Sequence, residues 1–152
     1  MVEQDIRFYH LHRQSVAQAL PALLSKAWTV GNRIVVKCRD DAESEALTKE
    51  LWTFSKTIFL PHGNKKDGYD AEQPIWLTAQ EENPNQANML LVTSPPEGEL
   101  PQDFSLGCIM FNGADEVELQ AARACWRRMK DSGKANLSYF QQSEQGGWSK
   151  KA

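Results

Sequence analysis

The sequence has few cysteines, and the three that it has lie far apart. Cys38, Cys108 and Cys125 form no Cys-x-x-Cys pair, and each lies within or beside apolar sequence. An odd number of widely spaced thiols argues against a disulfide framework and against the common zinc motifs. We therefore expect three buried, unpaired thiols in a reducing compartment, which predicts a cytoplasmic protein.

The chain also lacks long apolar runs and phosphate-binding loops. Its first twelve residues, MVEQDIRFYHLH, contain no apolar stretch, which argues against a signal peptide or a membrane span. Neither GxxxxGK[ST] nor GxGxxG occurs, so nucleotide hydrolysis is not predicted. The histidines, His10, His12 and His62, have no spacing that requires a metal, and no Ser-His-Asp or Cys-His pattern is recognisable. We expect no catalytic residues, no metal and no cofactor.

Positive charge is scarce until late in the chain. Residues 1–122 hold ten Lys and Arg against eighteen Asp and Glu, a net charge of −8, whereas residues 123–152 hold seven against two, a net charge of +5. The overall charge of −3 argues against direct DNA or RNA binding by the whole surface. A binder of single-stranded DNA that uses the basic end is an alternative, but the acidic first part disfavours it. Anion binding must therefore be local.

Apolar runs that alternate with helical patterns predict an α/β protein with three layers, α/β/α, around a mostly parallel and partly mixed sheet. We expect one domain over residues 1–142 and a flexible tail over 143–152. The predicted strands cover residues 6–11, 33–38, 57–60, 74–78, 89–93 and 107–111, with an edge strand at 136–141.

Three helices are predicted between these strands. Ser15 is the expected N-cap of the first, which ends at Gly31, and Pro21 is expected to mark its first turn. The second begins at Asp40 or Asp41. The third covers residues 115–132 and ends at Gly133.

The third helix carries the most informative pattern. Arg123, Trp126, Arg127 and Lys130 have the spacing i, i+3, i+4 and i+7, which places three cations and one large ring on one side. The predicted core side comprises Val117, Ala121, Ala122, Cys125 and Met129, with Trp126 at the border. A solvated charged face is the alternative, but surface helices usually mix signs, and between residues 123 and 134 only Asp131 is acidic. The pattern favours a ligand that is both acidic and aromatic, such as the end of a partner's tail.

Apolar side chains are also dense where the second helix ends. This group comprises Leu51, Trp52, Phe54, Ile58, Phe59, Leu60 and Pro61. It is either ordinary core or an exposed anchor surface for a second protein, because aromatic residues dominate binding hot spots. His62 follows in the segment FLPHG, at a strand end where α/β proteins often place functional groups. The alternative function is therefore a small α/β nucleotide- or phosphoester-processing enzyme with His62 in its site.

An ordered set of short segments resembles the chi subunit of bacterial DNA polymerase III holoenzyme. The resemblance spans about residues 5–140 and rests on the whole set, with LW, FLPHG and PIWLT the most specific. The segments are FYHL at 8–11, GNRIVV at 31–36, LW at 51–52, FLPHG at 59–63, QPIWLT at 73–78, FNG at 111–113 and the basic segment 123–133.

This resemblance implies a non-enzymatic accessory subunit of the replicative polymerase. The family links the clamp-loader side of the replicase to single-stranded DNA-binding protein, whose acidic, Phe-ended C-terminal tail it holds. The family's tail pocket falls on Arg123, Trp126 and Arg127, with Lys130 one turn further. The familiar pattern has Tyr and Lys at the second and third positions, and both departures are conservative.

The resemblance implies a second surface as well. In the family this surface binds the psi subunit or, instead, a helicase-like partner. It falls here on Trp52, Phe59, Leu60 and Pro61. The residues themselves do not decide between the two partners.

Overall fold

The computed structural model describes residues 4–53 and 60–152, which contain one eight-stranded sheet and three helices. The sheet order is β3-β4-β2-β5-β6-β1-β7-β8, and every neighbouring pair is parallel except β7 with β8. The elements are β1 Gln4–Leu11, α1 Val16–Thr29, β2 Ile34–Lys37, α2 Asp41–Thr53, β3 His62–Gly63, β4 Ile75–Thr78, β5 Met89–Val92, β6 Leu106–Asn112, α3 Glu116–Ser132, β7 Ala135–Gln142 and β8 Trp148–Lys150. The predicted α/β class with a mostly parallel, partly mixed sheet is confirmed.

The helices lie on both faces of the sheet, which gives the three predicted layers. One apolar cluster joins α1 and α2 to one face, through residues such as Leu20 and Leu47, and a second joins α3 to the other through Cys125. Because parallel crossovers are right-handed, the chain changes faces when it reverses its direction along the sheet. From β1 to β2 the chain moves towards the β3 edge of the sheet, and from β6 to β7 it moves towards the β8 edge.

The helix ends follow the predicted caps. Ser15 accepts a hydrogen bond from the Gln18 N–H at 3.2 Å, and the Gln18 side chain accepts one from the Ser15 N–H at 2.9 Å, which is a capping box. Helix α3 begins after Asp115, and Gly133 ends it at φ +65°. The prediction for Pro21 is wrong, since this residue lies inside α1 and is buried. Within the helix this residue cannot donate a hydrogen bond to the carbonyl four residues earlier, and its ring crowds that carbonyl.

The segment 57–60, predicted as a strand, lies almost entirely outside the described residues. Beyond it, β3 is limited to His62–Gly63 and pairs in parallel with β4. Between residues 74 and 112 the sheet is not mixed, because β4, β5 and β6 are all parallel to their neighbours. The loops between these strands cross over without a helix of their own.

The mixed part of the sheet lies at the end of the chain, where we expected a flexible tail. The Ser143 N–H donates to the Gly147 carbonyl at 2.7 Å, which closes a hairpin between β7 and β8. The Lys151 N–H donates to the Tyr139 carbonyl at 2.7 Å, and the Tyr139 N–H donates to the Ala152 carbonyl at 3.1 Å. Residues 143–152 therefore extend the sheet, and β7 lies between β1 and β8 instead of forming the edge.

Candidate functional site

Helix α3 presents its basic side to solvent and its small apolar side to the sheet. Ala122, Cys125 and Met129 are buried, as predicted. Val117 is 79% exposed, and Ala121 is also exposed, so both were wrongly placed in the core. Val117 lies about 80–140° around the helix from the three buried residues, so its side chain points to the flank of α3 and not to the sheet.

Trp126 lies at the border between these two sides, as predicted. Its indole is half-buried and meets two rings edge-on: Phe8 at 5.2 Å and Tyr139 at 5.6 Å between centroids. Phe8 and Tyr139 stack with a centroid distance of 6.2 Å and an interplanar angle of 14°. Edge-to-face contacts of this kind hold an aromatic ring in one orientation. One part of the indole is thus packed, and the rest is available to a ligand.

An open pocket of about 550 Å³ lies beside this indole. We call it the α3 pocket, and its lining residues are Gln120, Arg123, Trp126, Arg127, Tyr139 and Ala152. The structure thus brings three of the four predicted residues together, whereas Lys130 does not line the pocket. Sequence reasoning missed Tyr139, which pairs with the buried Phe8 across β1 and β7 and therefore lies on the face of the sheet beneath α3.

The cations of α3 fall into two groups. Arg123 and Arg127 are exposed, and neither forms a salt bridge or a hydrogen bond with another residue of the described part of the chain. Arg128 instead donates to the carbonyls of Pro96 and Gly98 at 3.0 and 3.3 Å. Because the two pocket guanidinium groups have no internal partner among these residues, their donors are available to an external anion.

A partly buried hydrogen bond fixes the floor of the α3 pocket. The Tyr139 hydroxyl lies 2.7 Å from Nδ1 of His10. Burial lowers the pKa of His10, and the nearby His12 and Arg123 lower it further. Burial also raises the pKa of Tyr139, against a smaller opposing effect of Arg123. Both shifts favour the neutral forms, so at neutral pH the tyrosine and the imidazole add no charge beneath the pair of arginines.

The predicted second surface is only partly accessible. Trp52 is 51% exposed and its ring packs on His62 at 4.4 Å between centroids. Pro61 is half-buried, whereas Leu60 is 2% exposed and so belongs to the core. Phe59 lies outside the described residues. Among the described residues of the predicted surface, Trp52 and Pro61 are therefore the ones that a partner can contact.

His62 shows no catalytic geometry. The ring is 4% exposed, and its two nitrogens face the backbone carbonyl oxygens of Leu60 and Thr48. No ring nitrogen is left for a substrate, so this histidine ties β3 to the end of α2. Across residues 4–53 and 60–152, no three or more His, Cys, Asp and Glu side chains are grouped closely enough to hold a metal ion. In the same ranges, no helix has the length and apolar content needed to cross a bilayer.

The three cysteines are buried and unpaired, as predicted. Burial raises the pKa of Cys38 and of Cys108 to about 12, and it also raises the pKa of Cys125. Since the thiolate is the reactive form, we expect none of the three to react with a disulfide reagent at about pH 8 while the protein is folded. In urea all three should react. Stoichiometric labelling of the folded protein, followed by absorbance, would contradict this burial.

The fold and the site define a class of protein. It is an α/β protein with an open pocket that is lined by cationic and aromatic side chains and lies beside α3, the helix after β6. Residues 4–136 match the family described as DNA polymerase III chi subunit, HolC, and this chain belongs to that family of accessory replication subunits. The resemblance inferred from the sequence is confirmed. The matched region includes Arg123, Trp126 and Arg127 and ends before Tyr139 and β8.

Two named relatives agree with this assignment. The chain is 34% identical over 103 residues to the probable DNA polymerase III subunit chi of Rickettsia prowazekii (strain Madrid E). This aligned region covers 64% of this chain and 62% of that protein. It is 29% identical over 112 residues to the DNA polymerase III subunit chi of Pseudomonas aeruginosa, which covers 73% of this chain and 76% of that protein. The chain thus spans slightly less than two thirds of the Rickettsia relative.

Proposed function

We propose that this chain is a non-catalytic, cytoplasmic accessory subunit of the replicative DNA polymerase that binds the acidic, Phe-ended C-terminal tail of single-stranded DNA-binding protein. The tail would occupy the α3 pocket. The observation that carries the proposal is the pair of exposed guanidinium groups, Arg123 and Arg127, that line an open cavity together with the indole of Trp126. A ligand that ends in a carboxylate and an aromatic ring needs a cation and an aromatic surface, and this cavity offers both.

The chemistry of each part of the tail matches one part of the pocket. The terminal carboxylate accepts charge-assisted hydrogen bonds from Arg123 or Arg127, each of which contributes about 1.5–3 kcal/mol when partly shielded. The terminal phenylalanine ring packs on the free part of Trp126 and on Tyr139. Lys130, one turn beyond the pocket, attracts the acidic residues that precede the terminus without direct contact. We expect a micromolar dissociation constant, about −8 kcal/mol.

A second surface would connect the chain to the rest of the replicase. We propose that Trp52, Phe59 and Pro61, together with the buried Leu60 that precedes Pro61 in the chain, form the side that binds the psi subunit or a helicase-like partner. An exposed tryptophan that already rests on a fixed ring is pre-organised for a protein partner. This side is formed by α2 and β3, whereas the α3 pocket lies on the opposite face. One chain can therefore bind both partners at once and act as a bridge.

Tail binding should weaken as salt increases. Between about 0.1 and 0.3 M ionic strength the Debye length shortens, so the attraction between the arginines and the acidic tail is progressively screened. Fluorescence anisotropy of a labelled tail peptide measures this directly. A control peptide with amides in place of the internal carboxylates should lose most of the salt dependence. An affinity that stays constant for the acidic peptide would contradict the ionic mechanism.

A further inference from the structure

A second and larger groove lies on the face of the sheet opposite the α3 pocket. Its volume is about 650 Å³, and it runs between α1 and the edge formed by β1, β7 and β8. Helix α1 packs against β6, and α2 packs against β3 and β4. The side chains that β7 and β8 project on this face therefore lie beside α1, where they form one wall of the groove.

Three aromatic rings make up this sheet wall. Tyr9 stacks on Phe140 with 5.3 Å between centroids, and Trp148 meets Tyr9 edge-on at 5.2 Å. Trp148 comes from the hairpin strand β8 and is 37% exposed. Rings locked against one another in this way offer a large apolar surface at little cost in conformational entropy.

The opposite wall is a continuous stripe along α1. Its members share the spacing i, i+3, i+4, i+7, i+8 and i+11, and they are Ala19, Ala22, Leu23, Lys26, Ala27 and Val30. This stripe is about 16 Å long, or three helical turns. Three alanines let another backbone approach closely, and Val30 at its end is 74% exposed. The shape suits a helix that lies alongside α1.

The charge of the groove specifies the chemistry of such a helix. Arg7 on the sheet wall and Lys26 on the helix wall are the charged residues among those that line it, and no Asp or Glu does so. Neither cation forms a salt bridge within the described residues. This cationic pair lies in the part of the chain that is acidic overall. An occupant with carboxylates on both flanks of an apolar stripe is therefore favoured over a basic or neutral one.

We infer that this groove binds an acidic amphipathic helix of about three turns from a second protein, through the helix-in-groove mode. The apolar stripe of that helix packs between the rings of Tyr9 and Trp148 and the alanines of α1. Its flanking carboxylates meet Arg7 on one side and Lys26 on the other. This site is separate from the α3 pocket and from the surface around Trp52, so the chain has a third interaction surface.

The test uses a display library of helical peptides of about 16 residues, randomised at surface positions. The library is selected on the full chain and counter-selected on the double variant Trp148→Ala, Lys26→Glu. We expect surviving peptides to carry net negative charge and apolar residues at i, i+3 or i+4, and i+7. Failure to recover any peptide that discriminates the two proteins, or recovery of basic peptides, would overturn the inference.

Single variants then assign the contacts. For a selected peptide, Lys26→Glu should weaken binding about tenfold or more, and Trp148→Ala by a similar factor. Arg127→Ala, which alters the α3 pocket, should leave the affinity for the selected peptide unchanged. A failure of the groove inference can therefore be distinguished from a failure of the proposed tail binding. Circular dichroism and thermal unfolding check that both variants fold. Equal affinity of folded Lys26→Glu and wild type would refute the role of charge.

A second copy of this chain is the competing occupant. Sedimentation equilibrium of the wild type should show a monomer at concentrations where the selected peptide saturates the groove. A dimer that dissociates in Trp148→Ala would assign the groove to self-association and would overturn the inference of a foreign helix.

Discussion

Arg123→Ala should weaken binding of the tail peptide about tenfold to a hundredfold without loss of stability. The guanidinium lines the α3 pocket, is exposed, and has no salt-bridge partner within the described residues. Its removal deletes a charge-assisted contact to the tail, about 1.5–3 kcal/mol, while the folded chain loses little. We expect Arg127→Ala to act in the same direction. Isothermal titration calorimetry with a synthetic tail peptide measures both affinities.

Arg128→Ala provides a matched control on the same helix. This neighbouring arginine does not line the α3 pocket, and it donates two hydrogen bonds to carbonyls of the loop between β5 and β6. Its loss should reduce the free energy of unfolding by about 1 kcal/mol and leave the tail affinity within about twofold. The two arginines should therefore separate stability from binding. Equal loss of affinity in Arg123→Ala and Arg128→Ala would indicate that tail binding depends on the overall positive charge of α3. That result would contradict a specific pocket.

Local signals allowed the sequence to predict much of the fold. Ser15 caps α1 through its own side chain, and Gly133 adopts the left-handed conformation that ends α3. These outcomes depend on neighbours within four residues, which the sequence shows directly. The border position of Trp126 also follows from helical periodicity alone, so that part of the site was predictable.

Other features depend on partners that are distant in the sequence. Strand β8 has a polar sequence and is held by pairing with β7, which periodicity could not reveal. The pocket floor requires Tyr139 of β7 to meet His10 of β1, across 129 residues. Strand register is a tertiary property, and it decides both cases.

The segment FNG, which contributed to the family resemblance, contains Gly113, and the packing around this residue explains why it is a glycine. A Cβ at this residue would lie 1.9 Å from Nε2 of His10 and 2.7 Å from the carbonyl oxygen of Leu11. That same carbonyl accepts the Gly113 N–H at 2.8 Å, so the backbone cannot move away without breaking the bond. The residue after β6 must therefore be glycine, because the imidazole that supports Tyr139 occupies the remaining space.

Gly113→Ala should accordingly destabilise the protein and disturb the α3 pocket together. Forcing a methyl group into this space should cost about 1–3 kcal/mol or more of unfolding free energy, measured by urea denaturation. The displaced imidazole should also release Tyr139 and weaken tail binding at temperatures where the variant is still folded.

Gly98→Ala is the matched control for this substitution. Nothing lies within 4 Å of a Cβ at that position, so the same chemical change should alter stability by no more than about 0.5 kcal/mol. If Gly113→Ala were as stable as Gly98→Ala and kept the wild-type tail affinity, the packing of His10 against the β6–α3 turn could not be what supports the pocket floor. If Gly113→Ala lost stability but kept its tail affinity, the contacts with Phe8 and Trp126 alone would hold Tyr139 in position. The hydrogen bond to His10 would then stabilise the sheet without contributing to tail binding.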